Sequence, residues 1–267
     1  MATKQTPPLF ANRLLEALTR THIAVPLTIF YGAAIGLIGY SVYAGLVAPW
    51  ANVWLVIAGL VFFTLVEYLI HRYLFHIGTD TPAKERFQYL FHGVHHEHPR
   101  DTSRLAMPPV VSVLVASALF LFYRLIMGVY GLPFTAGFMA GYASYLCVHY
   151  AVHAFKPPRN FLRALWAHHA IHHYQQPEAA FGVSSPLWDV LLGTMPVGKE
   201  KVKSEKWVAL FLHLKPCAFA LSQVVTHIRR DHAGFVRRLY AHVGVFEDLT
   251  KFGWDADSAG GFEEYVG

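Results

Sequence analysis

Four long apolar stretches dominate the first part of the chain. They cover residues 24–47, 51–70, 106–129 and 132–153, and their ionisable residues are Glu67, Arg124, His149 and His153. Each stretch provides the roughly 20 apolar residues that a helix needs to cross a bilayer. Uncharged runs of this length are a membrane signal rather than a feature of soluble cores. The pattern therefore predicts four membrane-spanning helices.

The connections between these stretches predict how the helices are paired. Residues 48–50 and 131–133 form two very short, uncharged links, so the four helices should form two hairpins. The Lys and Arg residues lie mostly before the first span, between the second and third, and after the fourth. Cytoplasmic loops carry the excess of Lys and Arg in membrane proteins. We therefore expect both termini and the long connections to be cytoplasmic.

The chain divides into three parts on this basis. Residues 1–23 are expected to be a cytoplasmic N-terminal segment, 24–197 the membrane domain, and 198–267 a cytoplasmic or membrane-surface extension. The expected fold is all-α: an integral-membrane four-helix bundle of two hairpins with a helical, histidine-rich catalytic cap on the cytoplasmic side.

Composition narrows the class of protein. Hydrophobic residues make up 54% of the 267, charged residues only 15%, and mean hydropathy is +0.34. Such a composition excludes intrinsic disorder, and two cysteines exclude a disulfide scaffold. The net charge of +5 indicates an anionic membrane surface as partner rather than nucleic acid.

Histidines carry the candidate chemistry. The chain has 17, and ten of them form four clusters with the spacings HxxxxH, HxxHH, HxxxH and HxxHH: His71, His76; His92, His95, His96; His149, His153; His169, His172, His173. Residues at i, i+3 and i+4 share one helix face, so the three histidines of each HxxHH can point together. His71 and His76 would be about 140° apart on an ideal α-helix. We expect the helix to end or bulge there, or the two residues to bind different metals.

The number of histidines predicts two metal ions. Neutral imidazole is the commonest protein metal ligand, and ten rings are too many for one ion. Two ions with four or five imidazoles each would use all ten. Imidazole suits Fe, Zn, Cu and Ni alike, so spacing leaves the metal open.

The four clusters together resemble the integral-membrane fatty acid hydroxylase superfamily, which also contains sterol desaturases and carotenoid hydroxylases. Residues 92–109 continue from HxxHH into an Asp and then Arg-Leu-x-x-Pro-Pro, which resembles the fatty acid 2-hydroxylases. Residues 181–194 match the segment that follows the last HxxHH in that family. The resemblance covers roughly residues 55–197.

This resemblance implies a di-metal centre, with two iron ions in the active enzyme and zinc as an alternative occupant in a purified form. The ten histidines would be both the metal ligands and the catalytic set. O2 would be the co-substrate, and an acyl chain in the bilayer would be hydroxylated next to its carboxyl carbon. Many family members carry an N-terminal haem domain whose motif is absent here. We therefore expect a separate electron-donor protein of cytochrome b or ferredoxin type.

Two further expectations concern the substrate. The acyl chain belongs to a free fatty acid or to a sphingolipid-type N-acyl lipid, and Tyr142 and Tyr145 should line its path because they share the helix face of His149. A sterol- or carotenoid-acting oxygenase of the same superfamily is the first alternative. A histidine-rich membrane metal-binding or transport protein is the second, from a different class.

Overall fold

The computed structural model describes residues 6–197, and this part of the chain forms helices and loops without any strand. Nine α-helices follow one another here: α1 (Arg13–Leu18), α2 (Ala24–Tyr43), α3 (Pro49–Leu69), α4 (Pro82–Gln88), α5 (Val94–Glu97), α6 (Pro109–Met127), α7 (Gly131–Ala154), α8 (Arg163–Tyr174) and α9 (Leu187–Leu192). Two π-helical turns, Ile70–Phe75 and Tyr89–Gly93, and two 3₁₀ turns, Thr102–Arg104 and Gly128–Tyr130, join them. The expected extension over 198–267 lies outside the described residues.

The bundle is organised around α7, which packs against α2, α3 and α6. Pairs of aromatic rings show that α6 and α7 run antiparallel: Tyr123 near the end of α6 contacts Phe134 near the start of α7, with ring centroids 5.0 Å apart. Gly128 makes the reversal with a positive φ of 57°, which glycine adopts without steric cost. The helical bundle expected from the sequence is confirmed.

Small residues allow α3 and α7 to approach very closely. A Cβ atom on Gly59 would lie 2.0 Å from the Phe134 carbonyl oxygen, and one on Gly137 would lie 2.0 Å from that of Val56. Membrane helices associate through such contacts, because lipid supplies no hydrophobic driving force between them. This interface fixes the position of α7, which carries His149 and His153.

Three helical segments are apolar and long enough to cross a membrane: Ala24–Tyr43, Pro49–Phe75 and Thr102–Ala154. The last, at 53 residues, contains both α6 and α7. Many large apolar side chains of the bundle point outward; Leu125, for example, is 86% exposed. An outward apolar surface of this kind is suited to lipid. The protein is therefore a membrane protein.

The helix ends differ from the expected ones. The first helix ends at Tyr43 rather than 47, and the turn before α3 occupies residues 44–48. Pro49 opens α3 at its first position, where its missing N–H costs nothing, so the expected turn at 48–50 is wrong. Likewise the second turn is Gly128–Tyr130, and residues 131–133 already belong to α7. The third helix spans Pro109–Met127 rather than 106–129.

Candidate metal centre

A π-helical turn brings His71 and His76 to the same side of their helix. The turn covers Ile70–Phe75, and the His76 N–H donates to the His71 carbonyl at 3.2 Å. This i→i+5 hydrogen bond is the mark of a π-bulge, a feature concentrated at functional sites. It removes the 140° separation of an ideal α-helix. The expected bulge is present, and the alternative in which the two residues serve different metals is not supported by their position.

Each HxxHH motif divides its rings between two neighbouring groups. His92 and His96 converge with one set, and His95, one residue before His96, turns to the other. On α8, His169 and His173 join the second set and His172 joins the first. As expected, the three histidines of each motif meet in one histidine-rich region. Within that region, the pair at i and i+4 belongs to one group and the ring at i+3 belongs to the other.

The described residues thus contain two groups of five histidines, in each of which one nitrogen per ring lies within 4.8 Å of the others. The first group is His71, His76, His92, His96 and His172; the second is His95, His149, His153, His169 and His173. The groups are adjacent, since the stacked rings of His96 and His173 have centroids 4.2 Å apart. All ten sequence-predicted histidines are brought together.

Hydrogen bonds between the rings cannot account for all the short distances between their Nε2 atoms. The Nε2 of His92 lies 3.0 Å from that of His71 and 2.9 Å from that of His96. A neutral imidazole nitrogen is either one donor or one acceptor, so it cannot pair with both neighbours. Two nitrogens bound to one ion at 2.0–2.1 Å are about 2.8–3.4 Å apart for bond angles between 90° and the tetrahedral value. The observed separations fit ligands of a common cation.

The second group repeats this geometry. The Nε2 of His169 lies 2.8 Å from that of His153 and 3.0 Å from that of His173, and the Nε2 atoms of His149 and His95 are 3.0 Å apart. No carboxylate belongs to either group as defined from the described residues. The donor set is all imidazole, which suits iron and zinc equally.

Burial keeps these rings neutral. It lowers the pKa of His92, His95, His169 and His172 well below the usual value, with repulsion between neighbouring histidines adding to the effect. The pKa of His96, which is less buried, falls to about 4 for the same first reason. A neutral ring retains the lone pair that a metal requires.

Comparison with known proteins identifies the family of this chain. Residues 56–194 match the profile of the family described as fatty acid hydroxylase. The chain belongs to the fatty acid hydroxylase family. It is 35% identical over 211 residues to the dihydroceramide fatty acyl 2-hydroxylase FAH1 of Arabidopsis thaliana, a match that covers 77% of this chain and 86% of the relative.

Two further proteins are similar to this chain, one by sequence and one by structure. The fatty acid 2-hydroxylase of Rattus norvegicus is 38% identical over 148 residues, covering 53% of this chain and 39% of the relative. A solved structure described as full-length scs7p, with only the hydroxylase domain visible, superposes with a TM-score of 0.67 and 31% identity. That superposition covers 74% of this chain and 75% of the other.

A loop of this hydroxylase orients two histidines of the first group. The Nδ1 of His71 donates to the Phe181 carbonyl, and that of His172 donates to the Ala179 carbonyl at 2.8 Å. The Nε2 atom of each ring is thereby left with its lone pair facing the group. Ala180, between the two carbonyls, has a φ of 59°. This left-handed conformation is uncommon for a non-glycine residue.

Two buried carboxylates hold this loop: Glu67, which the sequence places one turn before His71, and Asp189, to which the sequence assigned no role. Asp189 is fully buried and accepts from the backbone N–H groups of Phe181 and Gly182 at 2.9 and 2.8 Å. Glu67 accepts from those of Val183 and Ser184, both at 2.8 Å. Glu67 therefore holds the loop whose Phe181 carbonyl orients His71. A single Asp inside the otherwise apolar run of α9 was the available signal for Asp189.

His168 belongs to the same supporting network. Its Nε2 lies 3.1 Å from Asp189 Oδ2, and its buried ring belongs to neither histidine group. By contrast, the Nδ1 atoms of His169 and His173 in the second group are buried without a hydrogen-bond partner among the described residues. His71 and His172 of the first group thus have a backbone carbonyl at Nδ1, whereas His169 and His173 of the second have no partner there among the described residues.

An apolar cavity of about 370 Å³ opens onto the histidines. His71, His92, His95 and His149 form one part of its wall, and most of the remainder is aliphatic and aromatic. Tyr142 and Tyr145, singled out from the sequence, both line it. Its volume lies in the range of small-molecule sites.

Proposed function

We propose that this chain is a di-iron, O2-dependent hydroxylase that places a hydroxyl group on C2 of a lipid acyl chain. The observation that carries the proposal is an apolar cavity whose wall includes histidines of both five-membered groups. Its relatives, which include a dihydroceramide fatty acyl 2-hydroxylase and a fatty acid 2-hydroxylase, support the position of attack.

The protein's own residues bind the acyl chain, orient it and keep water away from it. The aliphatic and aromatic wall holds an acyl chain away from water, since burying apolar surface is favourable by about 25 cal/mol per Å². The histidines hold two metal ions, which when bound supply the O2 activation that attack on an unactivated C–H bond requires. The Phe181 carbonyl fixes the ring of His71, which lines the cavity, and the Ala179 carbonyl fixes that of His172 in the same group.

The reaction consumes electrons, so it needs an electron donor. Insertion of one oxygen atom from O2 into a C–H bond, with release of the other as water, consumes two electrons and two protons. We propose that a separate donor protein of cytochrome b or ferredoxin type supplies these electrons. Zinc has no redox chemistry, so activity should follow iron content when both metals are found.

We further propose that both termini and the histidine groups are cytoplasmic. The excess of Lys and Arg on the histidine side of the bundle supports this orientation. It would place the centre where a soluble or peripheral electron donor can reach it.

Tyr142 and Tyr145 are proposed to shape the acyl path. Both line the cavity, and the rings of Tyr145 and His149 stack with centroids 5.4 Å apart. Replacing Tyr145 by Ala should alter chain-length preference or the position hydroxylated while metal content stays normal. Loss of metal with an unchanged product profile would make Tyr145 a structural residue instead.

The deciding experiment is lipid mass spectrometry of cells that express the chain. A gain of one oxygen on acyl chains, located at C2 by fragmentation, is expected with the wild type and not with His95→Ala or His173→Ala. Both variants should also lose metal. Full activity in either variant, or oxygen found on sterols or carotenoids instead, would refute the proposal.

A further inference from the structure

The segment that precedes the first long helix supplies part of the wall of the apolar cavity. Leu9 and Phe10 both line it. Residues 7–8 and 11–12 are exposed, whereas Leu9 and Phe10 are half-buried, so these two side chains are the ones directed at the bundle. The segment lies outside residues 56–194, which match the family profile. The family match therefore assigns it no role.

Polar contacts, rather than a hydrophobic core, hold this segment in place. Helix α1 contains no buried residue, and its Leu14, Leu15 and Leu18 are exposed. Burial of α1 therefore adds little to the stability of the segment. Its position depends on the hydrogen bonds and ion pairs that it forms with the rest of the chain.

Glu16 is the centre of these contacts. Its carboxylate accepts from the backbone N–H groups of Leu9 at 2.8 Å and Phe10 at 3.3 Å, so it fixes the two residues that line the cavity. It also accepts from Arg20 Nε at 3.3 Å and from Arg104 Nη2. A carboxylate offers about four acceptor positions, and these four donors share them.

The contact with Arg104 joins the segment to a second part of the wall. The Arg104 side chain is 5% exposed, and residues 104–108 all line the cavity. Asp101 strengthens the joint, because its carboxylate accepts from Arg20 Nη1 at 3.3 Å. Glu16 thus connects two parts of one wall, residues 9–10 and residues 104–108.

The segment lies at the end of the cavity that carries the histidines. Residues 104–108 lead directly into α6, and the Thr21 N–H donates to the Ser103 carbonyl at 2.8 Å shortly before α2 begins. Helix α6 runs antiparallel to α7, and His149 near the end of α7 lines the same cavity. The start of α6 and the end of α7 are therefore at the same end of the bundle. In a lipid hydroxylated at C2, the carbons next to the head group must lie at this end.

We propose that residues 6–21 form a cap on the acyl cavity, in which Leu9 and Phe10 contact the carbons nearest the head group and Glu16 is the positioning residue that holds them there. The contacts are apolar, so they act on the chain whatever its head group and increase its affinity by removing it from water. The inference rests on the proposed function, because it assumes that the cavity holds the acyl chain that is hydroxylated.

Photo-cross-linking locates the contact directly. Cells that express the full chain are fed hexadecanoate that carries a diazirine either at C4 or at the methyl end, with and without excess unlabelled hexadecanoate. The cells are then irradiated. Trypsin releases residues 5–13, which contain Leu9 and Phe10, and residues 105–124, which contain most of α6. The C4 probe should label both peptides, and the methyl-end probe only the second, in each case with label that the excess displaces.

The two peptides distinguish failure of the inference from failure of the proposed function. Displaceable C4 label in residues 105–124 without any in residues 5–13 would overturn the inference and leave the proposed function intact. Absence of displaceable label from both peptides would mean that the cavity holds no acyl chain, which would refute both.

Glu16→Gln tests the positioning role. The amide has one accepting oxygen in place of two, so some of the donors around it lose their acceptor. The C4 label in residues 5–13 should fall by about 10-fold, the effect of losing hydrogen bonds to a charged group. Metal content and label in residues 105–124 should not change, which shows that the bundle is folded. Glu85→Gln, at an exposed position of α4, is the matched control and should change neither peptide. Unchanged label in residues 5–13 of Glu16→Gln would overturn its role.

Phe10→Ala tests the contact itself. Glu16 holds Phe10 through its backbone N–H, so this variant removes the ring and keeps the support. C2-hydroxylation of the fed chain, measured by mass spectrometry after hydrolysis of the cell lipids, should fall about 10-fold at limiting supply and recover at saturating supply, because affinity and not turnover is lowered. Leu14→Ala, at an exposed position outside the cavity wall, is the control and should leave the product unchanged. A loss that persists at saturation, or no loss at either supply, would overturn the contact.

Discussion

Replacing Asp189 by Asn should weaken one metal site of the centre more than the other. The carboxylate accepts four hydrogen bonds, from the Phe181 and Gly182 backbone, the Thr194 hydroxyl at 2.8 Å and His168. An Asn side chain is nearly isosteric but has one accepting oxygen instead of two. At least one backbone N–H of the loop then loses its acceptor.

The expected magnitude follows from that loss. Leaving a buried donor unsatisfied costs about 1–3 kcal/mol, and loss of an outer hydrogen-bond partner typically lowers metal affinity by about 10–100-fold. The Phe181 and Ala179 carbonyls orient His71 and His172, and both rings belong to the first group. The affinity of the first site should therefore fall, and the second site should stay near its wild-type value.

The assay is metal analysis of the purified protein during titration with a chelator. Wild type should release its two ions at similar chelator concentrations, and Asp189→Asn should release one of them at a concentration about 10–100-fold lower. Asp80→Asn is the matched control, because Asp80 is an exposed residue that pairs with Lys84 and the substitution makes the same change in charge. Equal weakening of both sites, or no change in either, would refute the role assigned to the loop.

Three other predictions test the bundle, the protonation of the centre and the orientation. Gly59→Ala should lower the unfolding temperature in detergent, because its Cβ would meet the Phe134 carbonyl and overpacking costs about 1–3 kcal/mol or more. Gly36→Ala is the control and should leave the unfolding temperature unchanged, because nothing lies within 4 Å of its Cβ. Metal-free protein should lose stability as pH falls from about 6.5, because burial lowers the pKa of His96 to about 4 and the unfolded chain then binds more protons; a flat profile in thermal unfolding would contradict this. In right-side-out vesicles, Lys84 should resist added trypsin and be cleaved only after permeabilisation.

The long helices could be predicted from the sequence because their signal is a local one, a long run of apolar residues. The ends of these helices could not be predicted, because proline is accepted both at the first position of a helix and in a loop. Pro49 lies at the first position of α3. The ten histidines could be found because their spacing repeats. Their division between two groups could not, because ideal helix geometry places His92, His95 and His96 on one face, and tertiary packing decides which neighbour each ring meets.

The supporting residues were harder to predict because their role depends on a loop. Asp189 acts through the backbone of Phe181, and the conformation of that backbone includes the left-handed Ala180. Nothing in the spacing of residues specifies a carbonyl direction.

The division of each HxxHH motif has a consequence for how the metals are held. Helix α5 supplies His95 to one group and His96 to the other, and α8 is shared in the same way. A displacement of either helix would therefore move ligands of both sites at once. A substitution that shifts α5 or α8 should lower the metal affinity of both sites, whereas a change in the loop that holds His71 and His172 should lower that of the first site alone.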